Sequence, residues 1–345
     1  MSKTQVNLAY RITEFAGPLE GLTQVEEPIP KPRAHEVLVR IHAASLNFRD
    51  YAVLSKLYPF PIKNNVVPGS DMAGEVVAVG EGVDAYKVGD RVTANFDQEN
   101  FYGPSKDWNT GLGAPIDGVL QKYRVFHEMG LLHFPKHLSY EEAACWPCTG
   151  VTAWNALFGG IPIIPGQTVL LQGTGGVSMT ALQLAHTMGA KTIITSSSDK
   201  KLELAKEMGA THTINYKKQP DWDKVVKQLT EGRGADHILD VVGINEIERC
   251  FGSVKQGGVI STIGFLGGEL KAYPNVPALA LSTGAILRGI NIGSKQLHED
   301  LLRFVDTNKL RPHIDKVFPF EQTREALDYL SKGQHSGKIV IKVSS

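Results

Sequence analysis

The sequence predicts an α/β protein in which a doubly wound parallel sheet is inserted into a β-rich domain. From about residue 166 the chain repeats a strand-helix unit: TVLLQG with TALQLAHTMGA, TIITSS with KKLELAKEMGA, then ILDVVG, VISTIGF and ILRGINIG. Val- and Ile-rich runs without polar alternation, separated by amphipathic helices, belong to a sheet covered on both faces. Upstream, VNLAYRI and EVLVRIHAA alternate with Pro-rich turns such as EEPIPKPRAHE, and GEVVAVGEGV and DRVTANF follow between glycines; this is the pattern of antiparallel strands. The tail carries two helices, HEDLLRFVDTNKL and FEQTREALDYLSKG, and a closing strand, KIVIKV. The β-rich domain therefore takes 1–147 and 296–345, and the Rossmann-type sheet takes 148–295.

A length of 345 residues exceeds one ordinary core, and 42% apolar with 21% charged residues is usual for a globular chain. Lys+Arg and Asp+Glu balance at 36 each, which removes a net-charge argument for nucleic acid or an anionic membrane. The N-terminal residues lack the apolar core of a signal peptide, and no run reaches the roughly 18 apolar residues of a membrane span. The expectation is a cytoplasmic protein acting on a small molecule, with no nucleic acid and no membrane as partner. Three cysteines, Cys145, Cys148 and Cys250, make no disulfide framework.

Gly173-Thr174-Gly175-Gly176-Val177 lies between a strand and a helix, the context in which such a turn binds a dinucleotide. Glycine permits the tight turn and lets backbone N–H groups approach a pyrophosphate at the positive end of the helix. Ser178 takes the third small position. The end of the second strand is the next discriminator, because a carboxylate there takes the ribose 2′-hydroxyl of NAD. Ser196 stands 23 residues beyond Gly173, followed by Ser197, Ser198, Asp199, Lys200 and Lys201. A carboxylate at Ser196 would stand about 4 Å from a 2′-phosphate and cost about 4 kcal/mol at an effective dielectric of about 20. Hydroxyls and lysines in its place favour NADPH; Ser198 or Asp199 is expected to cap the following helix.

The block Gly69-Ser70-Asp71-Met-Ala-Gly74 through Gly80 and Val83, followed by Gly89-Asp90-Arg91-Val92, resembles the zinc-alcohol-dehydrogenase signature of the medium-chain dehydrogenase/reductases, and the likeness covers nearly the whole chain. That signature has His-Glu where this chain has Ser70-Asp71. The resemblance implies a GroES-like fold for the β-rich domain. It puts the family's catalytic zinc ligands at Asn47, Ser70 and Cys148, of which one is a thiol, too few for a tetrahedral site; no metal is therefore expected. The lobe that carries the family's structural zinc has no cysteine in DQENFYGPSKDWNTGLGAP. Cys145 and Cys148 form a C-x-x-C outside a thioredoxin-like context, read as packing rather than redox chemistry.

Leu46-Asn47-Phe48-Arg49-Asp50 nearly matches the LNFRD of synthase enoyl-reductase domains, and Tyr58, eleven residues after Asn47, resembles the quinone-reductase spacing. This likeness to the zinc-independent branch implies adenosine-phosphate contacts at Lys201 and Tyr216. It implies nicotinamide contacts at Thr152, Gly264, Phe265, Ile290 and Ile292, and a basic residue near the pyrophosphate at Lys338. Without a metal, the charge that builds on substrate oxygen as hydride arrives needs side-chain donors. Tyr58 is the first candidate, then Tyr51, Asn47 and Arg49, with Asp50 orienting Arg49.

A substrate pocket is expected in the cleft between the domains. The long 96–118 segment is expected to shape specificity, and Phe101, Tyr102 and Trp108 are either lid aromatics or surface packing. The expected function is NADPH-dependent, metal-free hydride transfer to an activated C=C bond of an enone, enoyl ester or quinone. Carbonyl reduction or alcohol oxidation by the same machinery is the near alternative, and a non-catalytic NADPH-binding protein the distant one. ILRGINIGS resembles the family's edge strand, which implies a homodimer.

Overall fold

The strand Glu36–Leu46 organises the first half of the molecule. Nearly every side chain along it is buried, and it pairs antiparallel with Asp71–Val79, Tyr123–His127 and Lys338–Lys342. The computed structural model describes residues 6–14, 19–264 and 273–344; Phe265 lies outside them. The described residues divide into two compact units, one of Met1–Val151 with Gly293–Ser345 and one of Thr152–Ile292. The chain leaves the first unit four residues later than the sequence reading placed it and returns three residues earlier.

In the first unit, seven strands form one sheet and Val6–Ile12 pairs with Leu22–Pro28 in a separate ribbon. Sheet register decides which polar residues become neighbours. Ser45 faces Asp71, and Leu46 faces Ile339. The last residues of the central strand thus lie beside the first residues of both neighbours, so that Asn47, Asp71 and Lys338 gather at one end of the sheet.

The second unit is a six-stranded, fully parallel sheet. Its first strand, Thr168–Leu171, is central. The chain runs outward through Lys191–Ser196 and His212–Asn215, then returns to the other side for Ala235–Asp240, Val254–Thr262 and Ile286–Gly289. Leu170, Ile193, Ile214, Ile238 and Ile260 project from five neighbouring strands into one core with Trp222, Val226, Ile247 and Phe251 from two covering helices, which is why those strands read as continuous apolar runs. The order reverses between Thr168–Leu171 and Ala235–Asp240, the switch point at which doubly wound sheets bind ligands. Among the described residues, no helix is long and apolar enough to cross a membrane.

Candidate active site

The LNFRD motif straddles the start of the short helix Phe48–Leu54. Asp50 accepts the Asn47 backbone N–H at Oδ2, 2.8 Å, which closes the first helical turn. Its other oxygen lies 3.3 Å from Arg49 Nη1. The Arg49 guanidinium donates to the Leu112 carbonyl at 2.9 Å and sits 5.0 Å from the ring centre of Tyr58 and 4.8 Å from that of Phe96. Its Nε and Nη2 have no hydrogen-bond partner. Burial opposes the charge, but Tyr58 and Asp50 hold the guanidinium above its ordinary pKa.

Lys338 departs from its expected place at the pyrophosphate. It is 2% exposed, and its ammonium donates to the Leu46 carbonyl and to Asn47 Oδ1, 3.9 Å from Asp71 Oδ2. The strand register brings it there, and a buried ammonium is retained only where acceptors and an opposite charge surround it. Asn47 is consequently committed: its Oδ1 takes Lys338, and its Nδ2 donates to Ser70 Oγ at 3.4 Å. Ser70 in turn donates to Asp71 Oδ1, whose Oδ2 accepts the Cys148 backbone N–H. Sequence reasoning passed over Asp71 except as a departure from a signature; its polarity in a buried, otherwise apolar strand was the available signal.

These residues do not fit a zinc ion. Asn47 Oδ1 already faces an ammonium, and an amide, a hydroxyl and one thiol are too few for a tetrahedral site; burial first and then Asp71 push the Cys148 thiol up. Among the described residues, no group of three or more His, Cys, Asp or Glu side chains is placed to hold a metal. Cys145 donates to the Glu141 carbonyl and is pushed up to about 12 by burial. Neither cysteine of the C-x-x-C has the lowered pKa of a reactive thiol.

Tyr51 and Tyr58 are half-buried against the core of the first unit, Tyr51 within the helix Phe48–Leu54 and Tyr58 in the loop that follows it. Tyr58 meets Phe60 edge-on at 5.3 Å, and Phe60 stacks on Trp108 at 3.7 Å with the rings 12° apart. Trp108 therefore packs onto the active-site loop, whereas Tyr102 is 72% exposed. The backbone carbonyl of Phe101 accepts the N–H of Gln296.

In the second unit, Gly173 has φ +72° and nothing within 4 Å of where a side chain would begin; Gly175 is equally open, at the start of the helix Gly176–Thr187. Thr174 is buried, and Val177 follows in the first turn of that helix. Ser178 is buried and donates to the Gln172 carbonyl at 2.6 Å. Positive φ requires glycine at 173. At 175 nothing in the protein fills the space, and this open cradle at a helix N-terminus fits a dinucleotide pyrophosphate.

Ser196 ends its strand, with Ser197 following; the Ser196 carbonyl accepts the N–H of the exposed Tyr216. Ser198 sits at the helix cap without a capping side-chain bond. Asp199 turns instead to Lys218 and Asn215, both at 2.7 Å, which draw its carboxyl below the usual range. Lys201, also in that helix, is half-exposed.

At the ends of the strands Ala235–Asp240 and Val254–Thr262 lies a cavity of about 280 Å³, lined by Asp240, Gly243, Thr262 and Gly264 among others. Asp240 Oδ1 accepts the N–H groups of Val242 and Gly243, while its Oδ2 and Thr262 Oγ1 have no partner. A side chain at Gly264 would collide with the Val241 carbonyl at 2.2 Å. Ile290 donates its N–H to the Thr262 carbonyl. Ile292 holds φ +42°, a strained value for a β-branched residue, and its carbonyl accepts from Asn155 at 2.7 Å. Thr152 is buried near the start of this unit. Asp240 went unnoticed in the sequence, where it reads as an interior residue of the run ILDVVG; the structure ends the strand at Asp240.

Residues 33–136 match the alcohol dehydrogenase GroES-like domain, and residues 176–307 match the zinc-binding dehydrogenase family. A zinc-type alcohol dehydrogenase-like protein of Schizosaccharomyces pombe is 42% identical, over 97% of this chain and 99% of its own. The chain belongs to the medium-chain dehydrogenase/reductase superfamily. It is therefore an oxidoreductase, and members of this superfamily use a nicotinamide cofactor. A solved NAD-dependent alcohol dehydrogenase is 33% identical with a TM-score of 0.88, over 98% of this chain and 100% of that one. A Pseudomonas syringae quinone oxidoreductase is 28% identical with a TM-score of 0.83, over the same shares of the two chains. Superfamily membership thus spans more than one reaction.

Two outcomes test this geometry. Gly175→Val should leave the melting temperature within about 1 °C of wild type, since the space is open, yet weaken dinucleotide binding at least about tenfold by titration, because the added methyls fill the cradle. Asp50, buried and raised to about 6, binds its proton more tightly folded than unfolded. Its share of stability is therefore full below pH 4 and lost as the pH rises through 6. Relative to Asp50→Asn, the wild type should lose on the order of 3 kcal/mol between pH 4 and pH 7 in urea unfolding.

Proposed function

We propose that the protein is an NADPH-dependent reductase that transfers hydride without a metal to an activated C=C bond of an enone, enoyl ester or quinone. One observation carries the metal-free part: the atoms that the resemblance puts at zinc-ligand positions are an amide and a hydroxyl, tied to the Lys338 ammonium and Asp71, and a single thiol. The reduced nicotinamide supplies the hydride. The backbone at Gly173–Val177 would hold its pyrophosphate, and Asp240 Oδ2 and Thr262 Oγ1 offer unpaired hydrogen-bonding atoms at the strand ends. With Asn47 committed to Lys338 and Ser70, the donor to substrate oxygen is Tyr58, with Tyr51 second. The Arg49 guanidinium lies against Tyr58, 5.0 Å from the ring centre.

The preference for NADPH rests on Ser196 at the strand end, with Asp199 already neutralised by Lys218. Lys201 and the exposed Tyr216 flank that position. Carbonyl reduction is the second reading, favoured by the alcohol-dehydrogenase relatives, and uses the same tyrosine. The protein works in the cytoplasm as a homodimer. Support for the dimer comes from the edge strand Ile286–Gly289, where Ile286 and Leu287 are exposed, and from the neighbouring helix Val276–Thr283, whose Leu281 is 85% exposed.

Two measurements decide the reading. Ser196→Asp should weaken NADPH at least about a hundredfold and leave NADH within a few fold, in line with a carboxylate beside a phosphate; equal affinities of the wild type for both cofactors defeat the assignment. Against panels of quinones, enones and aldehydes, NADPH oxidation should be fastest with the first two, and Tyr58→Phe should lower kcat by about 10²-fold or more. Silence across the panel favours a non-catalytic NADPH-binding protein.

A further inference from the structure

The segment from Phe96 to Leu112 crosses seventeen residues with neither helix nor named strand, a length at which a loop is ordinarily mobile unless something ties it. It contains no cysteine. One buried carboxylate does the tying. Asp97, 9% exposed, accepts at Oδ1 from the backbone N–H of Glu99 at 3.1 Å, the N–H of Asn100 at 3.2 Å and the hydroxyl of Thr110 at 2.5 Å; its Oδ2 is 3.0 Å from Ser105 Oγ, whose one proton is shared with the Asp107 carbonyl at 2.7 Å. The four donors come from the beginning, middle and end of the loop. Its two ends are also zipped by Gln98 N–H to the Thr110 carbonyl and Leu112 N–H to the Phe96 carbonyl. Hydrogen bonds to an ionised acceptor are shorter and stronger than neutral ones, so four of them converging on one group define the loop's course.

Between the third and fourth of these anchors, Ser105 and Thr110, stands Trp108, the residue that stacks on Phe60, which in turn meets the ring of Tyr58. Phe96, next to Asp97, packs 4.8 Å from the Arg49 guanidinium that also meets the Tyr58 ring at 5.0 Å, and the Leu112 carbonyl at the far end accepts from the same guanidinium. Both ends and the middle of the loop therefore press on the surroundings of one tyrosine.

We propose that Asp97 is a positioning residue: by gathering the loop around its carboxylate it holds Trp108 on Phe60 and so fixes the orientation of Tyr58 towards substrate. The loop is a prebuilt wall rather than a lid that closes on binding. This inference rests on the assignment of Tyr58 as the proton donor, and its test separates the two.

Asp97→Asn keeps the shape and removes the charge; Thr110→Val removes one anchor at the edge of the network and leaves the fold intact if the first variant does not. Acrylamide quenching of Trp108, isolated by subtracting the signal of Trp108→Phe, should rise at least about twofold in either variant. The Kd for NADPH, a property of the other unit, should stay within about twofold of wild type. Turnover should show kcat down about tenfold, with a smaller change in KM, and the same substitutions made on Trp108→Phe should cost less than about twofold more, since the two act through one contact. Unchanged Trp108 quenching overturns the proposal, as do losses that multiply in the double variant. A silent Tyr58→Phe removes the catalytic reading of that tyrosine instead; the quenching measurement then still decides whether Asp97 sets the position of Trp108.

Discussion

A network of buried charges organises the first unit. Lys338 and Arg49 bring two positive charges, and Asp50 and Asp71 two negative ones, into surroundings with almost no solvent. Burying any one alone would cost several kcal/mol. Together they close a network in which Lys338 meets Asn47 and Asp71, Ser70 bridges Asn47 to Asp71, and Asp50 caps the turn that starts at Asn47. The helix Phe48–Leu54 and the loop to Tyr58 hang from this point.

That constraint sorts the polar groups around the LNFRD motif. Asn47, which the family resemblance puts at a ligand position, has its amide bonded at both ends, to Lys338 and to Ser70. Cys148 lies at another, and its backbone N–H, not its sulfur, makes the useful contact with Asp71. The tyrosines differ: both are only half-buried, and Tyr58 touches the network through the Arg49 guanidinium, 5.0 Å from its ring centre. Asp50 and Asp71 are both raised by burial, which their cationic neighbours oppose without fully offsetting it.

The second unit follows a different logic, that of backbone geometry and open space. Its parallel strands are apolar because both faces are covered, and polar groups are confined to the strand ends. Gly173 and Gly175 leave a cradle, Ser196 ends its strand without a carboxylate, and Asp240 keeps one oxygen unpaired. The strain at Ile292 is stored in the same unit and held by Asn155, which also accepts from Arg288 at Oδ1.

Periodicity and glycine placement determined the parallel sheet, its strand order of appearance and the dinucleotide turn, because these depend on local patterns of burial that a one-dimensional reading captures. The absence of a second thiol or imidazole at the ligand positions was equally plain in the residues themselves. What the chain order concealed was pairing across long separations. Lys338 lies 291 residues from Asn47, and only the register of Lys338–Lys342 on Glu36–Leu46 turns a residue expected at a phosphate into a buried cation. The same holds for Trp108 on Phe60 and for the four donors on Asp97. A side chain's partners are decided by which strand ends and loops meet in space, and buried charges, which tolerate no vacancy, then fix the roles that remain.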